Sequence, residues 1–473
     1  MAKKALLGSK IRRLRQTRGL TQSQMAEQLG ISASYLNLIE HDERSVTVSL
    51  LLKLGKAFDV DLQQLSDDAE RRLELGLREI FADATLSAAS VAPEELRDIV
   101  AASPEGAKTI VELYRAYRTA REDAQAMVLG LPSGGTRRIA LPNEEARDFF
   151  ADRVNHFPSL EDAAEALWHD AELERQDLRR GLIEYLSRAH SIAVEVAPRE
   201  AMAGAFRRYE PKTRRLLLSE MLARASRNFQ VAYQIALIAA RPAIDRLIGE
   251  AKLSTPESET LVRVGLANYF AGAVLMPYAP FLETAKAVRY DIDLLTHRFG
   301  VSFEQACHRL STLQRHGAKG VPFYLVRVDI AGNLSKRFSA SGFHFSRFGG
   351  SCPRWNVHEA FTTPGMIRTQ IARLPDGTTF FSIARTLTKE SAGFKEPHTL
   401  LALGIGCELA HARELVYADG YDLERLDAVT EIGVGCRLCE RMDCRQRAFP
   451  PLHHRLVVDE QVKGVSAYNF AMK

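Results

Sequence analysis

The 473-residue sequence has no run of 18 apolar residues, and its N-terminus carries no signal-peptide core. Both absences argue against a membrane-spanning or secreted chain and point to the cytoplasm. The apolar stretch VAYQIALIAA (231–240) is too short to span a bilayer and reads as a buried helix. Cysteine is scarce, with six in all, too few for a disulfide framework. Three of them crowd into nine residues, which in a reducing compartment favours metal or redox use. Excess charge is also lacking: the net charge is +4, so any affinity for nucleic acid must be local. Internal repeats and low-complexity tracts are absent. What remains is 46% hydrophobic, globular, and too long for one core; about three domains are expected.

Basic residues gather at the start, with Lys3, Lys4, Lys10, Arg12, Arg13, Arg15 and Arg18. They precede Thr21 to Glu40, TQSQMAEQLGISASYLNLIE, which reads as helix, turn, helix. Thr21 is an N-cap with Gln24 completing a capping box. Gly30 suits a left-handed C-terminal turn, Ile31 is an apolar plug, and Ser32 caps the second helix. The positions expected to be exposed on that helix are Ala33, Ser34, Asn37 and Glu40. Small and amide side chains there can reach base edges in a major groove. Gln22 and Ser32 are expected to bond phosphates, and Ser34, Tyr35 and Asn37 to read bases, with Arg44 also on the DNA-binding side. This stretch, with the apolar segments around it, resembles the XRE (lambda-repressor-like) helix-turn-helix family over about 60 residues.

Four parts follow from composition and pattern. Residues 1–66 form the DNA-binding domain. Residues 67–142 form a helical linker or dimerisation segment ending in LGLPSGGTRRIALP. A second helical domain spans 143–290. A ligand-sensing domain spans 291–473, opening with helices and turning to strands in VPFYLVRVDIAG, SKRFSASGFHF and TTFFSIARTLT, with hairpin turns at Gly332-Asn333 and Asp376-Gly377. The fold class is multidomain, mainly α, with an α+β C-terminal domain. Operators read by such motifs are commonly pseudo-palindromic, so a homo-oligomer, dimer or tetramer, is expected on double-stranded DNA.

Residues 143–290 resemble the zincin-type domain found beside XRE modules, in degenerate form. That family carries H-E-x-x-H on one helix, where two histidines one turn apart bind zinc. Here the five positions are Tyr233, Gln234, Ile235, Ala236 and Leu237, so no zinc donor remains and no peptidase activity is expected. A cleft without its metal is still concave. Tyr233, Gln234 and Tyr269 would place polar groups among its apolar walls, as ligand pockets do.

GVGCRLCERMDCRQRAFPP (433–451) spaces Cys436, Cys439 and Cys444 as C-x2-C-x4-C, with arginines that lower thiol pKa and offset an anionic cluster. A tetrahedral zinc or a four-iron cluster needs a fourth ligand. Cys407, read as opening a helix in GIGCELAHA, completes the expected set, with Cys352 or a histidine as alternatives. Cys307 reads as core. The missing second C-x2-C or H-x3-H tilts the reading to iron–sulfur over zinc.

Taken together, the helix-turn-helix, the degenerate zincin-like domain, and FHFSRFGGSCPRWNVHEAF, GIGCELAHA and GVGCRLCERMDCRQRAFPP resemble the short-chain fatty acyl transcriptional regulators. The resemblance implies a regulator of propionate or acetate metabolism genes with an acyl-CoA effector. It also implies a [4Fe–4S] cluster in at least some members. Arg327, Lys336, Arg337 and Arg347 are then candidates to pair with CoA phosphates. Phe343, Phe345, Phe348 and Trp355 are candidates to stack on the ligand or line an acyl slot. Two rival functions are a redox-sensing regulator without a small ligand, and a metalloprotease acting on a partner.

Overall fold

The computed structural model describes residues 18–40, 68–81, 91–128, 142–343, 351–389, 398–425, 429–437 and 444–450, with shorter stretches and isolated positions beside these runs. Lys3, Lys4, Lys10, Arg13, Arg347 and Phe348 lie outside the described residues, as does most of the expected 129–142 linker. The chain divides into two compact units, residues 1–122 and 123–473.

In the first unit, α1 (Gln22–Leu29) and α2 (Ala33–Glu40) form the helix-turn-helix. Thr21 caps α1 through the backbone N–H of Gln24, whose side chain returns to the Thr21 N–H. Gly30 has φ +63, a left-handed geometry that glycine adopts without strain. Met25, Ala26, Leu29, Leu36 and Ile39 are buried together with Ile11, Leu50, Leu54 and Phe58. Further along lie α3 (Asp68–Phe81), α4 (Pro93–Ala102) and α5 (Pro104–Val128). Pro93 and Pro104 stand at the start of their helices, where a missing N–H costs nothing.

The second unit opens with α6 (Pro142–Asp152), α7 (Pro158–Asp170) and α8 (Leu178–His190). Next comes a small sheet the sequence reading did not anticipate: β1 (Ala193–Ala197), β2 (Arg207–Glu210) and β3 (Arg215–Ser219), in the order β1-β3-β2. The helices α9 (Arg224–Ile238), α10 (Arg241–Ala251), α11 (Pro256–Leu275), α12 (Tyr278–Ala287), α13 (Ile292–Phe299) and α14 (Phe303–Leu310) follow. Among the described residues, no single helix is long and apolar enough to cross a membrane.

The C-terminal sheet contains β4 (Tyr324–Asp329), β5 (Leu334–Ser339), β6 (Arg368–Arg373), β7 (Thr379–Lys389), β8 (Thr399–Glu408) and β9 (Thr430–Glu431). Its order is β5-β4-β8-β7-β6-β9, antiparallel except for the β6–β9 pair. Both anticipated hairpins are present, with Gly332 at φ +83 and Gly377 at φ +88.

Both faces of this sheet are covered, and the period-2 alternation of a strand divides its residues between two cores. Leu325, Ile371, Phe381, Ile383, Leu403, Ile405 and Cys407 point into a core they share with the helices of 149–321. Tyr324, Val326, Val328, Ala372, Phe380, Ala384 and Ala402 point the other way, against Phe343, Cys352, Trp355 and Val357. The helices of 143–290 and the sheet beyond 291 thus close over one continuous core.

Candidate functional site

The reading helix α2 is anchored from beneath. Glu40 is buried, against the expectation that it is exposed, and Arg15 holds it with two bonds of 2.6 and 2.9 Å. Burial works to raise the Glu40 pKa, but the bonds from Arg15 and Gln22 outweigh it and hold the carboxylate below its ordinary range. The Gln22 amide donates to Asn37 Oδ1 at 3.0 Å and to Glu40 at 2.8 Å. Gln22 therefore braces the Asn37 side chain in this arrangement, a task different from the phosphate contact expected of it. Ser32 Oγ accepts from the Tyr35 N–H at 3.1 Å. Ser34 and Asn37 are exposed, Tyr35 is half-buried, and Arg44 is exposed.

A second site lies within the unit 123–473. A cavity of about 750 Å³ opens where α6, α9, α11 and α14 meet β5 and the end of β7. Phe150, Phe206, Phe229, Phe303 and Phe338 supply apolar wall, and Arg147, Lys336, Arg337 and Lys389 supply cations. Gly265 and Gly272 of α11 also line it. A Cβ on Gly265 would collide with the Phe150 ring, whereas one on Gly272 would meet nothing within 4 Å. One glycine admits a neighbour and the other leaves open space.

Of the expected ligand residues, Tyr269 and Arg337 line this cavity. Tyr269 donates to Glu161 at 2.5 Å and is buried beside the Glu161–Arg309 ion pair. Arg337 pairs with Glu144, which also binds Arg147. Arg327 stands one residue-pair away, held by Glu304 at 2.7 Å and Ser335 at 3.0 Å. Tyr233 and Trp355 do not line the cavity. Arg207 sits 4.7 Å over the Tyr233 ring and bonds Gln234, so a guanidinium covers the positions of the first zinc-binding histidine and the glutamate of active zincins. Trp355 is buried on the far side of the sheet, bonded to Ser382 and stacked on Phe343. Nothing in the sequence marks Phe150, Gly272 or Phe338 as neighbours, because their proximity depends on tertiary packing.

The cysteines form a third site, in which the expected set is corrected. Cys407 does not open a helix. It lies near the end of β8, pairs with Phe381, and is fully buried on the helix-side face. The sheet separates it from the other thiols. Cys352 instead lines one small cavity with Cys436, Cys439 and Cys444. A Cβ on Gly433 would lie 2.8 Å from Cys439 Sγ, so glycine there permits the close approach. Burial pushes the Cys352 and Cys439 thiols up. Arg447 donates to the carbonyls of Cys436 and Cys439, and Arg441 pairs with Glu431. Cys307, as expected, is fully buried in the main core. Four thiols with arginines around them suit a soft metal centre as a donor set. As placed, however, no group of three or more His, Cys, Asp or Glu among the described residues is close enough to form a coordination shell.

A braced helix-turn-helix joined to a unit with a ligand-sized cavity is the build of a ligand-responsive DNA-binding regulator. Residues 11–65 match a helix-turn-helix family, 188–311 the IrrE N-terminal-like domain, and 312–468 the short-chain fatty acyl coenzyme A regulator C-terminal family. The HTH-type transcriptional regulator RamB of Mycobacterium tuberculosis is 42% identical over 469 residues, 98% of either chain. The regulator PrpR of the same organism is 42% identical over 468 residues, covering 98% of this chain and 95% of that one. A propionyl-CoA carboxylase regulator of Cereibacter sphaeroides is 40% identical, covering 99% of each. A solved Mycobacterium tuberculosis transcriptional regulator superposes with a TM-score of 0.66 at 44% identity, covering 69% of this chain and 98% of that one. The chain belongs to the family of short-chain fatty acyl-CoA transcriptional regulators.

Proposed function

We propose that this regulator acts in the cytoplasm as a homo-oligomer on operator DNA, without peptidase activity, and that a short-chain acyl-CoA occupying the 750 Å³ cavity is its effector. The cavity carries the reading. Its volume falls within the range of small-molecule sites, and it joins phenyl walls to a rim of cations. Such a lining suits a ligand with an apolar acyl end and an anionic phosphate end. An effector of this kind regulates by binding the DNA-competent and incompetent arrangements with different affinity. The names of the relatives, which include a propionyl-CoA carboxylase regulator, favour propionyl-CoA. The test is calorimetry with propionyl-CoA and free CoA, alongside operator binding with and without ligand. Micromolar binding that shifts operator affinity is the expected result; binding of neither compound overturns the reading.

The thiols favour an additional input. A [4Fe–4S] cluster, with zinc as the alternative, would be held by Cys352, Cys436, Cys439 and Cys444, drawn together from their present spacing. Such a cluster supplies redox or structural chemistry when bound. Metal and sulfide analysis of anaerobically prepared protein tests this, with Cys352→Ser expected to lose the metal and Cys407→Ser to keep it. The reverse pattern would restore Cys407 to the set.

A further inference from the structure

Resting on the acyl-CoA reading of the cavity, we propose that Glu144 is a built-in competitor for the anionic end of the effector. A bound phosphate draws Arg147 and Arg337 away from it and so unclasps α6 from the edge of the sheet. Glu144 divides its two carboxylate oxygens between two cations: Oε1 accepts from Arg147 on the same helix, and Oε2 accepts from Arg337 at 3.1 Å. Arg337 belongs to β5, the edge strand of the large sheet. The Arg337 side chain is 12% exposed and that of Glu144 19%, so solvent screens the clasp only in part. Arg147 and Arg337 both line the cavity, whereas Glu144 stands outside its lining. The carboxylate therefore holds both guanidinium groups from outside the cavity, and a phosphate within it meets them from the other side.

Carboxylate and phosphate compete for the same donors, because the guanidinium fork matches the oxygens of either. A terminal phosphate carries nearly two negative charges near neutral pH against one on Glu144, and the two arginines together match it. The exchange does not strand Glu144. It stands in the first turn of α6, where the helix dipole favours an anion, and its partial exposure leaves it water to bind. Glu304 makes a similar bridge, between Arg327 and Lys389. Arg327 is not part of the lining, so an anion in the cavity reaches only one of the cations that Glu304 holds. What the exchange at Glu144 changes is the hold of α6 on β5. Residues 129–141 join α6 in sequence to α5 and so to the helix-turn-helix unit. Release of α6 is thus the local event by which ligand binding biases one arrangement of the chain over another.

The experiment compares the full-length protein with Glu144→Gln, which keeps the shape and removes the charge, and with Glu145→Gln. Glu145 carries the same charge on the same helix, but it accepts from Ser254 at 2.8 and 2.9 Å and does not line the cavity. In calorimetry, Glu144→Gln should bind propionyl-CoA at least ~5-fold tighter than the unaltered protein, and Glu145→Gln within about 2-fold of it. Propionyl-pantetheine, which has no phosphate, should bind all three alike. Without ligand, Glu144→Gln should shift operator affinity in the direction that propionyl-CoA shifts it in the unaltered protein. Glu144→Ala should do the same, and thermal unfolding reports that both variants fold. Unchanged or weaker propionyl-CoA binding by Glu144→Gln overturns the inference while the effector reading stands. An equal gain in Glu145→Gln, or for propionyl-pantetheine, does so too. Tighter binding with ligand-free operator affinity unchanged overturns the release of α6. Absence of propionyl-CoA binding in every one of these proteins overturns the effector reading itself.

Discussion

Arg309 and Glu161 lie 148 residues apart in sequence and form a two-bond ion pair, 2.6 and 2.8 Å, with both side chains 1% exposed. The remaining donors of Arg309 reach the Met276 carbonyl at 2.8 Å and Thr312 Oγ1 at 3.1 Å, and Tyr269 donates to the same carboxylate. The pair ties α7 to α14 beneath the cavity. Removing one partner leaves a buried charge unopposed, so Glu161→Ala should cost about 3–5 kcal/mol in denaturant unfolding. Replacing both residues with Met should cost much less, since no charge is stranded. A double variant as unstable as the single one would show that the pair contributes more than charge compensation.

Acid should loosen the same region. Burial alone would raise the pKa of Glu304, but His308, Lys389 and Arg327 reverse this and bring it to about 2. A carboxylate whose folded pKa is depressed adds stability above its unfolded value, lost as pH falls towards the folded one. Stability from Glu304 should therefore decline between its ordinary 4.5 and about 2. Glu304→Gln should flatten that part of the stability–pH curve.

On the DNA side, Asn37→Ala should weaken operator binding by about 1–3 kcal/mol and relax preference at one base position. Gln22→Ala should act in the same direction through loss of the brace on Asn37. Fluorescence anisotropy with matched and mismatched operators reads both effects. Unchanged preference in both variants would move base reading away from this face of α2.

Gly272 offers a way to fill the cavity. Gly272→Phe would project into open space rather than into a neighbour. Acyl-CoA affinity is expected to fall by at least ~10-fold, about 1.4 kcal/mol, with the melting temperature and ligand-free operator binding nearly unchanged. Undiminished affinity would place the effector elsewhere.

Gly406 is the opposite case. A Cβ there would stand 2.5 Å from both the Phe381 carbonyl oxygen and the Tyr324 hydroxyl. Backbone cannot swing aside as a side chain can, so Gly406→Ala should cost about 1–3 kcal/mol, read by thermal unfolding.

The sequence made some features plain and hid others for definable reasons. Thr21, Gln24 and Gly30 act through neighbours two to four residues away, so their roles were legible from spacing. The hairpins at Gly332 and Gly377 were legible for the same reason. Cys407, which follows two glycines, reads as opening a helix, but it lies near the end of β8, and a strand covered on both faces lacks the alternation that identifies one. The β1–β3 sheet was hidden by short strands, four or five residues each. Choosing Cys352 over Cys407 requires knowing which way each side chain leaves the sheet, and a shift of one residue in register reverses that answer.

That same sheet is a partition. Lys336 and Phe338 of β5 border the ligand cavity, while Tyr324 of the adjoining β4 packs in the core that holds Cys352. A close-packed wall transmits strain because it has no slack to absorb it. Two occupants, one on each side, would therefore communicate without touching. By the reciprocity of linked equilibria, whatever metal at the thiols does to acyl-CoA affinity, acyl-CoA must do to metal affinity in equal measure.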